Sequence, residues 1–137
     1  MSDREFTFGK KERVTGRGRI DALFSSGRAF MAYPFRVTYF LYESGNADVA
    51  LLVSIPKKRL RKAVDRNRMK RLAREAYRLN KFMLDKGLLP EGMALDVALI
   101  YVKNELSTYE DVERGVLKAL KGLNYELKLK GGRDEVD

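Results

Sequence analysis

Asp48-Val-Ala-Leu-Leu-Val-Ser-Ile55 is followed by Pro56 and then by Lys57-Lys-Arg-Leu-Arg-Lys-Ala-Val-Asp-Arg-Asn-Arg-Met-Lys-Arg-Leu-Ala-Arg-Glu-Ala-Tyr-Arg-Leu-Asn-Lys81. The first part is an apolar run of strand length, which reads as a strand buried on both faces, and Pro56 ends it. In the second part the period changes. Met69, Leu72, Ala73, Ala76 and Met83 recur at helical spacing within a basic segment that extends to about Asp85. Lys86-Gly87, with Pro90 just beyond, reads as a helix stop. Another long apolar run, Ala94 to Val102, supplies a further strand. Strand, helix and strand in that order permit a parallel pair joined by a crossover.

Upstream of this unit, Phe35-Arg-Val-Thr-Tyr-Phe-Leu-Tyr42 is rich in β-branched and aromatic residues. Alternation puts Phe35, Val37, Tyr39 and Leu41 on one face and Arg36, Thr38, Phe40 and Tyr42 on the other. Glu43-Ser-Gly-Asn46 reads as a turn, and residues 28–33 add a short strand before it. Between Gly16 and Gly27, Ile20, Leu23 and Phe24 sit at i, i+3 and i+4, which predicts a short helix. Downstream, Ser107 and Glu110 form a capping-box pattern before a last helix whose apolar stripe is Val112, Val116, Leu120 and Leu123. The expected order is α-β-β-(β)-α-β-α. That is an α+β fold, a small two-layer sandwich with helices on a mixed sheet. A single domain is expected over 1–130. Residues 1–12 would form a flexible arm, with Phe6 and Phe8 favoured to pack over the sheet, and 131–137 a disordered tail.

Composition narrows the chemistry. The chain has 137 residues, no cysteine and no histidine. Disulfides, thiolate zinc sites, a cysteine nucleophile and a Ser-His-Asp triad are excluded. Lys and Arg number 28 against 19 Asp and Glu, giving a net charge of +9. Such a balance points to a polyanionic partner, nucleic acid before an anionic membrane. No apolar run reaches membrane-span length and Met1-Ser-Asp-Arg-Glu-Phe has no apolar signal region, so a cytoplasmic protein without membrane attachment is expected.

The charge is concentrated. Residues 57–81 hold twelve basic and two acidic side chains, a local net of +10 against +9 for the whole chain. Arg66, Lys70, Arg74 and Arg78 are spaced by four and stack along one stripe of a helix, with Arg68 and Arg71 beside them. Like charges at this spacing each cost a helix about 0.2–0.5 kcal/mol. A polyphosphate partner turns that cost into affinity through counterion release, and the arginine fork suits phosphate. A solvated face usually alternates signs, whereas only Glu75 offers a partner here, to Arg71 and Arg78. Asn67, near the helix start, has an amide able to bond a ribose, a phosphate or a base edge.

Lys57-Lys58, Ala63-Val64, Arg66-Asn67-Arg68-Met69-Lys70-Arg71-Leu72 and Arg74-Glu75 together resemble the signature of the bacterial ribonuclease P protein, in which an RNR triplet leads into a lysine-arginine pair on one helix. Arg13-Val14, Phe24 and Gly27 fall at the distances that family shows. The resemblance covers roughly residues 7 to 125. It implies a ribosomal protein S5 domain 2-like fold with a left-handed β-α-β crossover, where generic chain geometry favours a right-handed one. It also implies a non-catalytic protein subunit of a ribonucleoprotein endonuclease. The RNA would cleave precursor tRNA at the mature 5′ end with magnesium held largely by RNA, and the protein alone would bind no cofactor and be a monomer.

Residue by residue, the resemblance makes Arg66, Asn67, Arg68, Lys70, Arg71 and Arg74 contacts to ribonuclease P RNA. Lys57, Lys58, Arg59, Arg61 and Lys62 become the basic loop leading into them. The 5′ leader of the precursor would lie in a cleft formed by Ile20, Phe24, Arg36, Thr38 and Phe40. Phe24 fits that cleft or the core equally well. Ile20 stands where the family often has an aromatic and Thr38 where it often has a tyrosine, with Phe40 and Tyr42 placed to stack on bases instead. A ribosomal protein or general RNA chaperone is the competing reading. A DNA-binding protein lacks the helix-turn-helix pair it would need. A metal-dependent nuclease would need Asp48, Asp65, Glu75 and Asp96 to converge, whereas ion pairing or solvation suits each better, with Asp96 marking the wet end of its strand.

Overall fold

The alternation in residues 35–42 is realised as strand β2 (Phe35–Glu43), which buries Phe35, Val37 and Tyr39 on one side. The computed structural model describes residues 8–136, with side chains to Leu129. Helix α1 (Arg17–Ser26) precedes strand β1 (Arg28–Ala32) and β2. Strand β3 (Val49–Ser54), helix α2 (Ala63–Asn80), strand β4 (Met93–Tyr101) and helix α3 (Tyr109–Val136) follow. The sheet order is β1-β2-β4-β3. β1 with β2 and β2 with β4 are antiparallel, whereas β3 and β4, joined through α2, are parallel. The mixed sheet and the parallel pair are those expected.

Helices α2 and α3 cover one face. Met69, Ala73, Ala76 and Tyr77 of α2 and Val112, Val116, Leu120, Leu123 and Leu127 of α3 share one core with Phe35, Val37, Val53, Leu95, Val97 and Leu99. Leu23 of α1 packs instead on Ala50 and Ala98, with Ile20, Phe40, Leu52 and Ile100 around it. These strand residues alternate with those of the main core, so α1 lies on the opposite face. The expected two-layer sandwich is therefore corrected: the sheet carries two helices on one side and a short third on the other. The reason is that β3 and β4 are apolar on both faces and both need cover.

Other expectations shift locally. Helix α2 stops at Asn80, whose Nδ2 donates to the Ala76 carbonyl at 2.8 Å and so satisfies an end carbonyl. Lys81–Met83 forms a separate 3-10 turn, and Met83 is exposed rather than part of the stripe. The last helix is capped by Thr108, whose Oγ1 accepts from the Asp111 amide at 3.2 Å. Ser107 is buried, 2.6 Å from the Tyr101 hydroxyl, and does not cap. Residues 8–12 make contacts with the rest of the domain. Phe8 meets Tyr77 edge-on at 5.8 Å, Glu12 pairs with Lys81, and the Val14 amide donates to Leu51 at 3.1 Å. This segment shields the open edge of β3. Phe6 lies outside the described residues. The backbone of α3 is helical to Val136. Among the described residues no helix is long and apolar enough to cross a membrane.

Candidate nucleic-acid interface

Burying Met69, Ala73, Ala76 and Tyr77 fixes how α2 is rotated, and Asn67, Arg68, Arg71 and Arg74 are left exposed as a result. Lys70 is partly buried. Neither an ion pair nor a hydrogen bond engages Arg68, Lys70, Arg71 or Arg74 among the described residues. The stripe spaced by four is not uniform. At one end Arg78 pairs with Glu75 at 2.8 Å, and its guanidinium holds the Glu75 carboxyl below the usual carboxylate range. At the other end Arg66 Nη1 donates to the carbonyl oxygens of Leu60 at 2.9 Å and Arg61 at 2.7 Å. Arg66 thus braces the loop 57–62 against the start of α2, a role the charge pattern did not reveal.

That loop is anchored by the buried Leu60 and is otherwise basic. Lys58 and Arg59 form part of the wall of an open cleft of about 400 Å³ between α1 and the sheet. Phe24, Arg36, Thr38 and Ile100 line it as well. Phe24 is 45 % exposed, so it belongs to the cleft and not to the core. Gly27 allows this geometry: a Cβ there would stand 2.8 Å from the Tyr39 oxygen and 2.9 Å from Thr38 Cγ2. Of the residues expected in the cleft, the structure brings Phe24, Arg36 and Thr38 together. Ile20, on α1, and Phe40, on β2, pack instead against the cluster around Leu23 between helix and sheet. Lys58, Arg61 and Lys62 also line a second groove of about 430 Å³, with Asn104 beside them. Arg59 donates to Asn104 Oδ1 at 3.1 Å. The loop therefore links the cleft to the exposed face of α2.

Sequence reasoning missed Ile100 as a cleft residue, although strand alternation carries the signal. Ile100 pairs with Arg36 across the sheet and lies on the same face. It also misjudged Asp96. That residue is 1 % exposed and takes a two-pronged contact from Arg19, Nε to Oδ2 and Nη2 to Oδ1, both at 2.7 Å. Asp96 pairs with Phe40 in mid-sheet, so it is not at a wet strand end. The pair with Asp96 pushes the Arg19 guanidinium further up. Burial chiefly, and Asp96 next, push the Tyr42 hydroxyl up. Asp48, Asp65, Glu75 and Asp96 do not converge: among the described residues no three His, Cys, Asp or Glu side chains are grouped to hold a metal.

A model of the ribonuclease P protein family matches residues 8–124. The ribonuclease P protein component of Porphyromonas gingivalis is 46% identical over 117 residues, spanning 83% of this chain and 85% of that protein. The chain belongs to the ribonuclease P protein family. The Thermotoga maritima ribonuclease P protein structure superposes with a TM-score of 0.61 at 28% identity, over 81% of this chain and 96% of that one. The Staphylococcus aureus ribonuclease P protein has the same fold, with a TM-score of 0.62 at 22% identity over 82% and 94% of the two chains. Family membership makes the chain a protein component of a tRNA-processing ribonucleoprotein endoribonuclease.

Proposed function

We propose that the chain binds the catalytic RNA of ribonuclease P through the exposed face of α2 and the loop before it, and holds the 5′ leader of precursor tRNA in the cleft beside α1. The observation that carries this reading is continuity. The unpaired Arg68, Lys70, Arg71 and Arg74 lead through the loop that Arg66 braces to Lys58 and Arg59 at the cleft wall. A single basic path thus joins a surface suited to a folded RNA with a groove suited to a single strand. In the cleft, Phe24 offers a ring for a base, and Arg36, Lys58 and Arg59 offer charge for the phosphates.

The protein's part is binding and positioning, while the RNA performs the cleavage. In this reading the magnesium of the reaction is held largely by the RNA. The same reading places the protein in the cytoplasm and makes it a monomer before assembly. Affinity for ribonuclease P RNA, compared with that for an unrelated structured RNA of equal length, tests it. Preference for the former is expected at moderate salt. Equal affinity for both would favour a general RNA chaperone or a ribosomal protein.

A further inference from the structure

We infer that Arg19 and Asp96 are a positioning pair for the cleft: their contact sets where α1 stands on the sheet, and through α1 where Phe24 stands over the bound strand. This rests on the cleft reading above and adds a residue pair that does not itself line the cleft.

Helix α1 has only ten residues, too few to be stable on its own. Leu23 is the single α1 side chain that is fully buried, and the strand residues beneath it, Ala50 and Ala98, are small. Apolar contact with Ala50 and Ala98, and with Phe40, Leu52 and Ile100 around Leu23, therefore sets the height of α1 above the sheet and leaves part of the resistance to sliding to other contacts. Two features supply that resistance. At the C-terminal end Gly27 closes onto the Thr38 side chain and the Tyr39 carbonyl, as the missing Cβ allows. Toward the N-terminal end Arg19 reaches across to Asp96 on the central strand with two parallel bonds of 2.7 Å. A fork fixes direction as well as distance. The buried carboxylate resists losing its partner, because an unpaired charge in that position is strongly unfavourable.

The surroundings hold the fork in place. Arg19 Nη2 also donates to the Tyr42 hydroxyl at 3.2 Å, and its guanidinium lies 5.8 Å from the centre of the Tyr42 ring. Tyr42 in turn stacks on Phe40 with an interplanar angle of 17°. Phe24 lies on the helix between Arg19 and Gly27, so a shift at either end moves its ring. A ring that stacks on a base has little tolerance for such a shift.

The test uses holoenzyme reconstituted with parent protein, Asp96→Asn or Arg19→Lys, and two precursor tRNAs, one with a long leader and one with a single-nucleotide leader. For Asp96→Asn, KM for the long-leader precursor is expected to rise about tenfold, with KM for the short-leader precursor within about twofold of the parent. kcat at saturation and affinity for the RNA subunit are expected to stay unchanged. Arg19→Lys keeps one ionic contact and leaves no charge unpaired, so it folds even if Asp96→Asn does not, and its KM is expected to fall between the two. Equal KM shifts for both precursors, or no shift in either folded variant, would overturn the positioning role. A parent that does not distinguish the two leaders would instead overturn the cleft reading itself.

Discussion

The Arg66 side chain is hydrogen-bonded to the backbone of Arg61, Nη1 to carbonyl oxygen at 2.7 Å, so a residue with the signature of an RNA contact also builds the protein. The same nitrogen reaches the Leu60 carbonyl. Arg66→Ala is expected to loosen the loop, to destabilise the fold by about 1 kcal/mol, and to weaken RNA binding more than removal of any fully exposed arginine. Faster amide exchange at residues 57–62, with little change in the strands, would identify the loop as the cause.

Arg68→Ala and Arg71→Ala remove exposed, unpaired charges. Each is expected to leave the melting temperature within about 1 °C of the parent, since surface changes of this kind are within about 0.5 kcal/mol. Each is also expected to lower the salt dependence of RNA binding by about one counterion. Titration of the RNA subunit at several salt concentrations reads this out, and circular dichroism checks the fold.

Met69 and Leu72 separate the two sides of α2. Met69 is 1 % exposed, whereas Leu72 is only partly buried. Met69→Ala is expected to cost about 2–5 kcal/mol, and Leu72→Ala about half as much. Urea denaturation of both variants measures the difference; equal costs would mean that α2 is rotated from the orientation described.

Alkaline pH probes the main core. Burial, and then the hydrogen bond to Glu126 Oε1, push the Tyr39 hydroxyl from 10.0 up to about 12. A group raised on folding stabilises the protein below its unfolded value and loses that contribution as pH rises through the folded one. Stability is therefore expected to fall between pH 10 and about 12. Tyr77, also raised by burial, acts in the same direction. Denaturation midpoints across this range should fall less steeply for Tyr39→Phe than for the parent.

Much of the fold was legible because its elements differ in period. Alternation at 35–42, the apolar runs 48–55 and 94–102, and the stripe from Val112 to Leu123 each identify an element and the side it buries. The layer count was not legible, since an apolar strand buried on both faces does not say which helix covers which face. The exposed arginines of α2 could be read from their spacing. The role of Arg66 could not, because a loop carbonyl decides it; for Arg78 the spacing offered Glu75 as a partner but left open whether Arg71 or Arg78 would take it. Nor could the link between Arg19 and Asp96, which are 77 residues apart in sequence and meet only after the sheet is assembled. Phe24 was ambiguous because helical spacing alone does not separate a core ring from one beside an open groove.

Precursor-tRNA cleavage at low magnesium tests the central claim most directly, with this protein alone, a bacterial ribonuclease P RNA alone, and the two combined. Efficient cleavage at the mature 5′ end only in the combination is the predicted result. Cleavage by the protein alone, or no enhancement of the RNA by a protein that binds it, would contradict the account.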